Sequence, residues 1–365
     1  MELINQTPIV ADVQVSVDSV NDDGPRMGML VAKATFLFDQ NGTTELDTQN
    51  PFSLFATEED TDLGQLPSDA VQRRDQVFEV VLLGAAYPRG TEAVESMTVE
   101  LSVGDVSHTM CVTGDREWSD GDNPSITPPV PFMRMPLVYE RTFGGMCPAG
   151  MDEDTVVDIR DPVNHHGRGF DAGFLAHHIG ESLQAPEGFP TMEYVRQLPN
   201  LEHPEHLIKG WDDAPEPYCW ATVPQDIAFT QTRFLRHVKR KVDLNQDLAE
   251  EDEYAREVTA QVFHRAHPDW ITTLPDYQAL VTMSGMSPRG ELSFRIPPLR
   301  VIADYILGNR VGTRELVPQL MVLLPEQQRF YIVYRASFTI ETTPSMERSF
   351  RLRTTPGWFQ YTESS

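Results

Sequence analysis

A mainly β fold is predicted by three features: period-two alternation of apolar residues near the start, short β-branched runs in both outer thirds, and 28 prolines with 23 glycines spread over 365 residues. So many turn formers leave little room for long helices. The architecture expected is an antiparallel, sandwich-like N-terminal lobe over residues 1–118, packed with a C-terminal β-rich part over residues 270–345. Between them residues 119–269 form an irregular, loop-rich middle with one or two short helices, and residues 346–365 form a tail that frays or docks as an extension.

Val13, Val15 and Val17 alternate with polar neighbours, as in a strand with one buried face. Residues 29–38 are a β-rich apolar run, and Asn41-Gly42 after it predicts a two-residue hairpin turn, because both positions accept positive φ. Further strands are expected over residues 77–84, 97–103 and 108–113, with Tyr87-Pro88-Arg89-Gly90 and Gly104-Asp105 as turns. In the middle, Thr127-Pro128-Pro129-Val130-Pro131 and Ala214-Pro215-Glu216-Pro217 break regular structure. A connection this long has to pack as ordered irregular chain, with Trp211, Tyr218 and Trp220 supplying apolar contact. The helix expectation falls on residues 244–264, where Leu248, Tyr254, Val258 and Phe263 sit among Ala, Glu and Arg. Strands return over residues 280–283, 292–296, 319–324 and 330–340, the last two joined as a hairpin through Leu324-Pro325-Glu326-Gln327-Gln328-Arg329.

The chain carries 55 acidic against 29 basic residues, a formal charge of −26, which repels a phosphate backbone or an anionic bilayer. Neither nucleic acid nor membrane is an expected partner. The excess is uneven: residues 1–130 hold 23 Asp or Glu against 6 Lys or Arg, whereas residues 286–365 hold 7 against 10, so the two ends differ in sign. Cys111, Cys147 and Cys219 make an odd, widely spaced set that suits reduced thiols rather than a disulfide framework. The start lacks the basic, apolar pattern of a signal peptide, and no apolar run approaches the ~20 residues of a membrane span, so a cytoplasmic location is expected.

Candidate chemistry is sparse. His203/His206 and His264/His267 have a spacing that could share a helix face, but two pairs interrupted or followed by proline do not make a metal set. His165-His166-Gly167-Arg168-Gly169-Phe170 lacks the strand and helix context of a phosphate loop. Cys147 beside Gly144-Gly145 leaves a Cys/His nucleophile open, against a packed thiol. No catalytic residue, metal or cofactor is therefore assigned. Two charged-aromatic clusters are more distinctive: Gly114-Asp115-Arg116-Glu117-Trp118 and Pro136-Leu137-Val138-Tyr139-Glu140-Arg141-Thr142-Phe143-Gly144-Gly145. In each an arginine beside carboxylates can pin irregular chain while Trp118 or Phe143 fills apolar volume; a binding hot spot is the alternative. Asp115, Arg116, Trp118, Tyr139, Glu140, Arg141 and Phe143 are the candidate structural or partner-binding residues.

The same clusters carry a resemblance. With Val31-Ala32-Lys33-Ala34-Thr35-Phe36, Thr61-Asp62-Leu63, Gly84-Ala85-Ala86-Tyr87-Pro88, Gly167-Arg168-Gly169-Phe170, Leu198-Pro199-Asn200-Leu201-Glu202 and Val333-Tyr334-Arg335, the chain from about residue 5 to 340 resembles an uncharacterised-domain family encoded beside spike and effector genes of bacterial type VI secretion systems. The resemblance implies an effector-loading adaptor or chaperone, with a secreted effector and a spike or spike-tip protein as partners and no catalytic residues to carry over. Pro217-Tyr218-Cys219-Trp220-Ala221 departs from the family's Pro- and Arg-rich pattern, and Glu250-Glu251-Asp252-Glu253 is peculiar to this chain. An immunity or toxin-sequestering protein and an enzyme with a spatially assembled site remain the competing classes.

Overall fold

The computed structural model describes residues 1–15, 26–70, 77–119, 125–152, 155–161, 163–170, 197–210, 213–224, 264–340 and 347–359. Strands dominate them, in a ten-stranded mixed sheet, a five-stranded antiparallel sheet and four two-stranded pairs. The helices among the described residues are single 3₁₀ turns at Tyr139–Arg141, Pro268–Trp270 and Pro325–Gln327. None is long and apolar enough to cross a membrane. The fold is mainly β, as the turn content implies; of the expected helix over residues 244–264, all but His264 lies outside the described residues.

The main path of the large sheet runs Glu2–Asn5, Arg348–Thr355, Arg300–Leu307, Arg310–Leu324, Arg329–Ile340, Arg26–Phe38, Val10–Val15. Strands from both ends of the chain therefore interleave in one sheet. The cause is burial: residues 28–36 and 330–336 are buried without a break, so each strand needs cover on both faces and a neighbour on both edges. They satisfy one another, antiparallel, from Leu37↔Arg329 to Arg26↔Ile340. The five-stranded sheet turns Val99, Leu101, Met110, Val281 and Phe294 inward, where Phe294 stacks on Phe38 at 4.7 Å and on Phe330 at 4.3 Å. One continuous core joins the two sheets.

Of two local expectations, the tail takes the docking alternative and the turn is corrected. The tail expected after residue 345 supplies the Arg348–Thr355 strand, laddered between Glu2–Asn5 and Arg300–Leu307. Buried Phe350 and Leu352 alternate there with exposed Arg351 and Arg353, a half-buried strand masked in the sequence by its arginines. The turn at Asn41-Gly42 is a three-residue loop rather than a two-residue one: the Asp39 N–H donates to the Thr43 carbonyl at 3.0 Å, and Gly42 alone has positive φ, at 80°. By contrast the hairpin between residues 324 and 329 forms as expected, with Leu324 opposite Arg329. Tyr218 and Trp220 do supply core packing, Trp220 edge-on to the fully buried Trp270; Trp211 lies outside the described residues.

The Arg310–Leu324 strand changes neighbours along its length. Residues 317–324 ladder with Arg329–Ile340, but the pairing slips at Pro318, where Gln319 is an extra residue. Proline has no N–H for the ladder and a bulge bends its strand, so residues 310–316 swing away and pair only with Arg300–Leu307 among the described residues.

Charge is buried beneath this frame. Lys33 and Asp69 are fully buried and 2.5 Å apart. Burial outweighs the Asp69 attraction and lowers the Lys33 pKa to about 8, while burial pushes the Cys219 thiol up to about 12 and raises the Tyr334 and Tyr218 hydroxyls. Between pH 8 and 10.5 the unfolded chain keeps a lysine proton that the folded one has shed, so stability rises with pH; above pH 9 for Cys219 and above pH 10 for the tyrosines the folded state keeps the extra proton and stability falls. Thermal unfolding across pH 7–11 is expected to show a midpoint that climbs above pH 8, levels between 9 and 10, and drops beyond 10. A midpoint that falls steadily from pH 8 would refute the Lys33 assignment.

Candidate functional site

The distant charged-aromatic motifs meet in space. Gly114 follows the Val106–Thr113 strand and admits no side chain, since a Cβ there would lie 2.0 Å from the Val130 carbonyl oxygen. That close approach leads Asp115 and Arg116 toward residues 198–202. Asn200, fully buried, is the hub: its N–H donates to the Arg141 carbonyl at 2.8 Å and its carbonyl accepts the Thr113 N–H at 2.8 Å. Its side-chain amide donates to the Thr113 carbonyl (2.9 Å) and the Asp115 carboxylate (3.0 Å), and its side-chain oxygen accepts from Arg141 (2.9 Å) and Arg168 (3.2 Å). Both arginines also face the exposed Asp115 carboxylate, at 3.3 and 3.6 Å. Arg168 has its pKa lowered, first by burial and then by Arg141 beside it.

Arg116 pairs with the buried Glu202, which also accepts the Ile208 N–H at 2.7 Å. Burial pushes the Glu202 carboxyl up, and Arg116 pulls it back. Trp118 and Phe143 pack with Leu198 and Ile208 into a second small core. Gly144, with φ at 139°, lies where a Cβ would meet the Asn164 carbonyl oxygen at 2.0 Å. Asn164, also fully buried, donates its side-chain amide to Tyr139, Thr142 and Phe143. The 3₁₀ turn Tyr139–Arg141 is thereby fixed so that Tyr139 points inward, Arg141 sideways to Asn200, and Glu140 outward.

Glu140 opens onto a cleft of about 640 Å³. Asp60 and Asp62 face it from the Glu59–Thr61/Gly64–Leu66 hairpin, with His166, Val138 and Thr222 on its other walls. Among the described residues, three carboxylates and no Lys or Arg line it. The Thr61-Asp62 and Val138-Tyr139-Glu140 stretches singled out in the sequence are thus brought to one opening, whereas Asp115, Arg116 and Trp118 belong to the scaffold behind it. Asn164 and Asp60 carried no sequence signal, and Asn200 stood out only as part of the Leu198-Pro199-Asn200-Leu201-Glu202 stretch: a buried loop asparagine reads as an ordinary turn former until its partners are placed.

Other candidates resolve differently. His264 bonds the buried Glu79 at 2.9 Å, and the His203 and His267 rings pack edge-on to Tyr218, 4.7 and 4.9 Å away. Among the described residues no three His, Cys, Asp or Glu side chains gather with metal-binding geometry. The buried Cys219 thiol donates to the Leu137 carbonyl, and burial raises the Cys111 thiol as well, so neither favours thiolate. Cys147 stands on the Met146–Asp152 strand opposite Ile159. The divergent 217–221 stretch is buried against the Phe78–Leu82 strand, and residues 250–253 lie outside the described residues.

Residues 23–335 match the family described as an uncharacterized protein conserved in bacteria (DUF2169). The chain belongs to that family. No curated protein and no solved structure matches it. The DUF2169 span holds the Asn200 hub and every wall of the cleft, whereas the Glu2–Asn5, Val10–Val15 and Arg348–Thr355 strands fall outside it.

Proposed function

We propose that this DUF2169 protein is a cytoplasmic adaptor or chaperone that binds a cognate type VI secretion effector and couples it to the spike or spike-tip protein. The observation that carries the reading is the acidic cleft held open on a rigid, hydrogen-bonded junction: Asp60, Asp62 and Glu140 offer negative charge to a basic segment of the effector, with no Lys or Arg beside them among the described lining residues. The arginines behind the cleft are engaged by Asn200, Asp115 and Glu202, which suits a preorganised surface.

The test is co-purification of the tagged chain with co-expressed products of neighbouring effector and spike genes. A specific complex is expected, and Asp60→Asn/Asp62→Asn/Glu140→Gln should weaken the effector complex by about tenfold or more while leaving the unfolding transition in place. Deleting the gene should abolish delivery of that effector while the secretion machine still fires. Normal delivery without the protein would refute the reading, and a producer poisoned by its own toxin would point to immunity instead.

A further inference from the structure

Below Pro318 the large sheet carries a seam. Residues 310–316 and 336–340 belong to neighbouring strands, yet among the described residues their ladder stops at Val317↔Arg335. Side chains bridge the opening instead: Arg314 Nη1 donates to the Ser337 carbonyl at 2.5 Å, and Arg310 Nη2 donates to the Thr339 carbonyl. A guanidinium can take the place of a main-chain N–H donor only where the strands have moved beyond the ~4.8 Å ladder spacing. Arg314 also lies over Phe338, 5.5 Å from the ring, and Val311 at the same strand end is 75% exposed. The surroundings are basic: this edge belongs to residues 286–365, which hold 10 arginines against 7 carboxylates, and Arg348 and Arg351 lie on the strand next but one.

We propose that this seam receives an extended, acidic segment of a partner protein, which adds as a strand beside residues 310–316 and pairs its carboxylates with Arg310 and Arg314. Strand addition supplies affinity through main-chain hydrogen bonds, and alternate side chains supply selection. The occupant is acidic because the donors that close the seam are both arginines and have to be recompensed once displaced from Ser337 and Thr339. The inference rests on the adaptor reading for the identity of the partner: an adaptor needs a second surface, and this one is opposite in charge to the cleft.

The probe is a fluorescein-labelled nonapeptide of alternating Glu and Val, beside its Lys/Val counterpart and a Glu/Val version with a central proline. The Glu/Val peptide is expected to bind about tenfold more tightly than either control, and to slow amide hydrogen exchange in residues 311–315 and 337–339. In R310A/R314A the preference for Glu over Lys should collapse while the exchange protection remains. Equal binding of all three peptides, or binding without protection of those amides, overturns the seam. Loss of the probe in D60N/D62N/E140Q places it in the cleft and likewise overturns it, leaving the adaptor reading intact; seam binding without any effector complex overturns the adaptor reading alone.

Discussion

Lys33→Ala is expected to cost about 3–5 kcal/mol of stability at pH 7, the usual range when one member of a buried ion pair is removed. Lys33 and Asp69 are both fully buried, and the ammonium also donates to the Ser53 carbonyl at 2.8 Å and sits 3.8 Å from the centre of the Phe55 ring. Alanine leaves the Asp69 carboxylate in apolar surroundings, held by the Phe55 N–H at 2.7 Å and without the cation beside it. Arg335 is near enough to act on Lys33 and to donate to the Asp69 main-chain carbonyl, so it can soften the loss but not replace a direct contact. The double variant Lys33→Met/Asp69→Asn should recover more than half of the loss, because no unpaired charge remains. Urea unfolding measures both; a single-variant loss below about 1 kcal/mol would show that the pair is not buried in solution.

Arg116→Ala is the second large effect, expected at about 3 kcal/mol, with Arg141→Ala below about 1 kcal/mol. The two arginines are hard to tell apart in sequence, each near a carboxylate and an aromatic residue. Their partners separate them: Glu202 is 2% exposed, whereas the Asp115 side chain is 63% exposed and can return to water. Thermal and urea unfolding of both variants would check the order. Equal, small losses combined with lost partner binding would make Arg116 an interface residue.

The individual strands were legible because burial on both faces leaves unbroken apolar runs, as at residues 28–36 and 330–336, and burial on one face leaves alternation, as at Ser96–Val103. Their pairing was not, because the Arg26–Phe38 strand pairs with one about 300 residues away and no local pattern encodes that register. Arg348–Thr355 escaped notice since its outward arginines resemble a solvated tail, and the sheet split could be read only by joining Pro318 to its neighbour across the ladder. At the site, the motifs were visible as unusual clusters; the Asn200 hub and the acidic opening arise only when residues 60–62, 138–140 and 166 are brought together.

The pairing of Arg26–Phe38 with Arg329–Ile340 also sets a timetable for the newborn chain. At roughly 5–20 residues per second of synthesis, the earlier strand waits on the order of 15–60 s for its partner to leave the ribosome. Throughout that interval a long apolar strand has an unsatisfied edge, the condition under which nascent proteins aggregate or recruit folding helpers. Folding of this protein therefore has high contact order, and its yield in a cell should respond to translation speed and chaperone supply more than to substitutions at the exposed cleft.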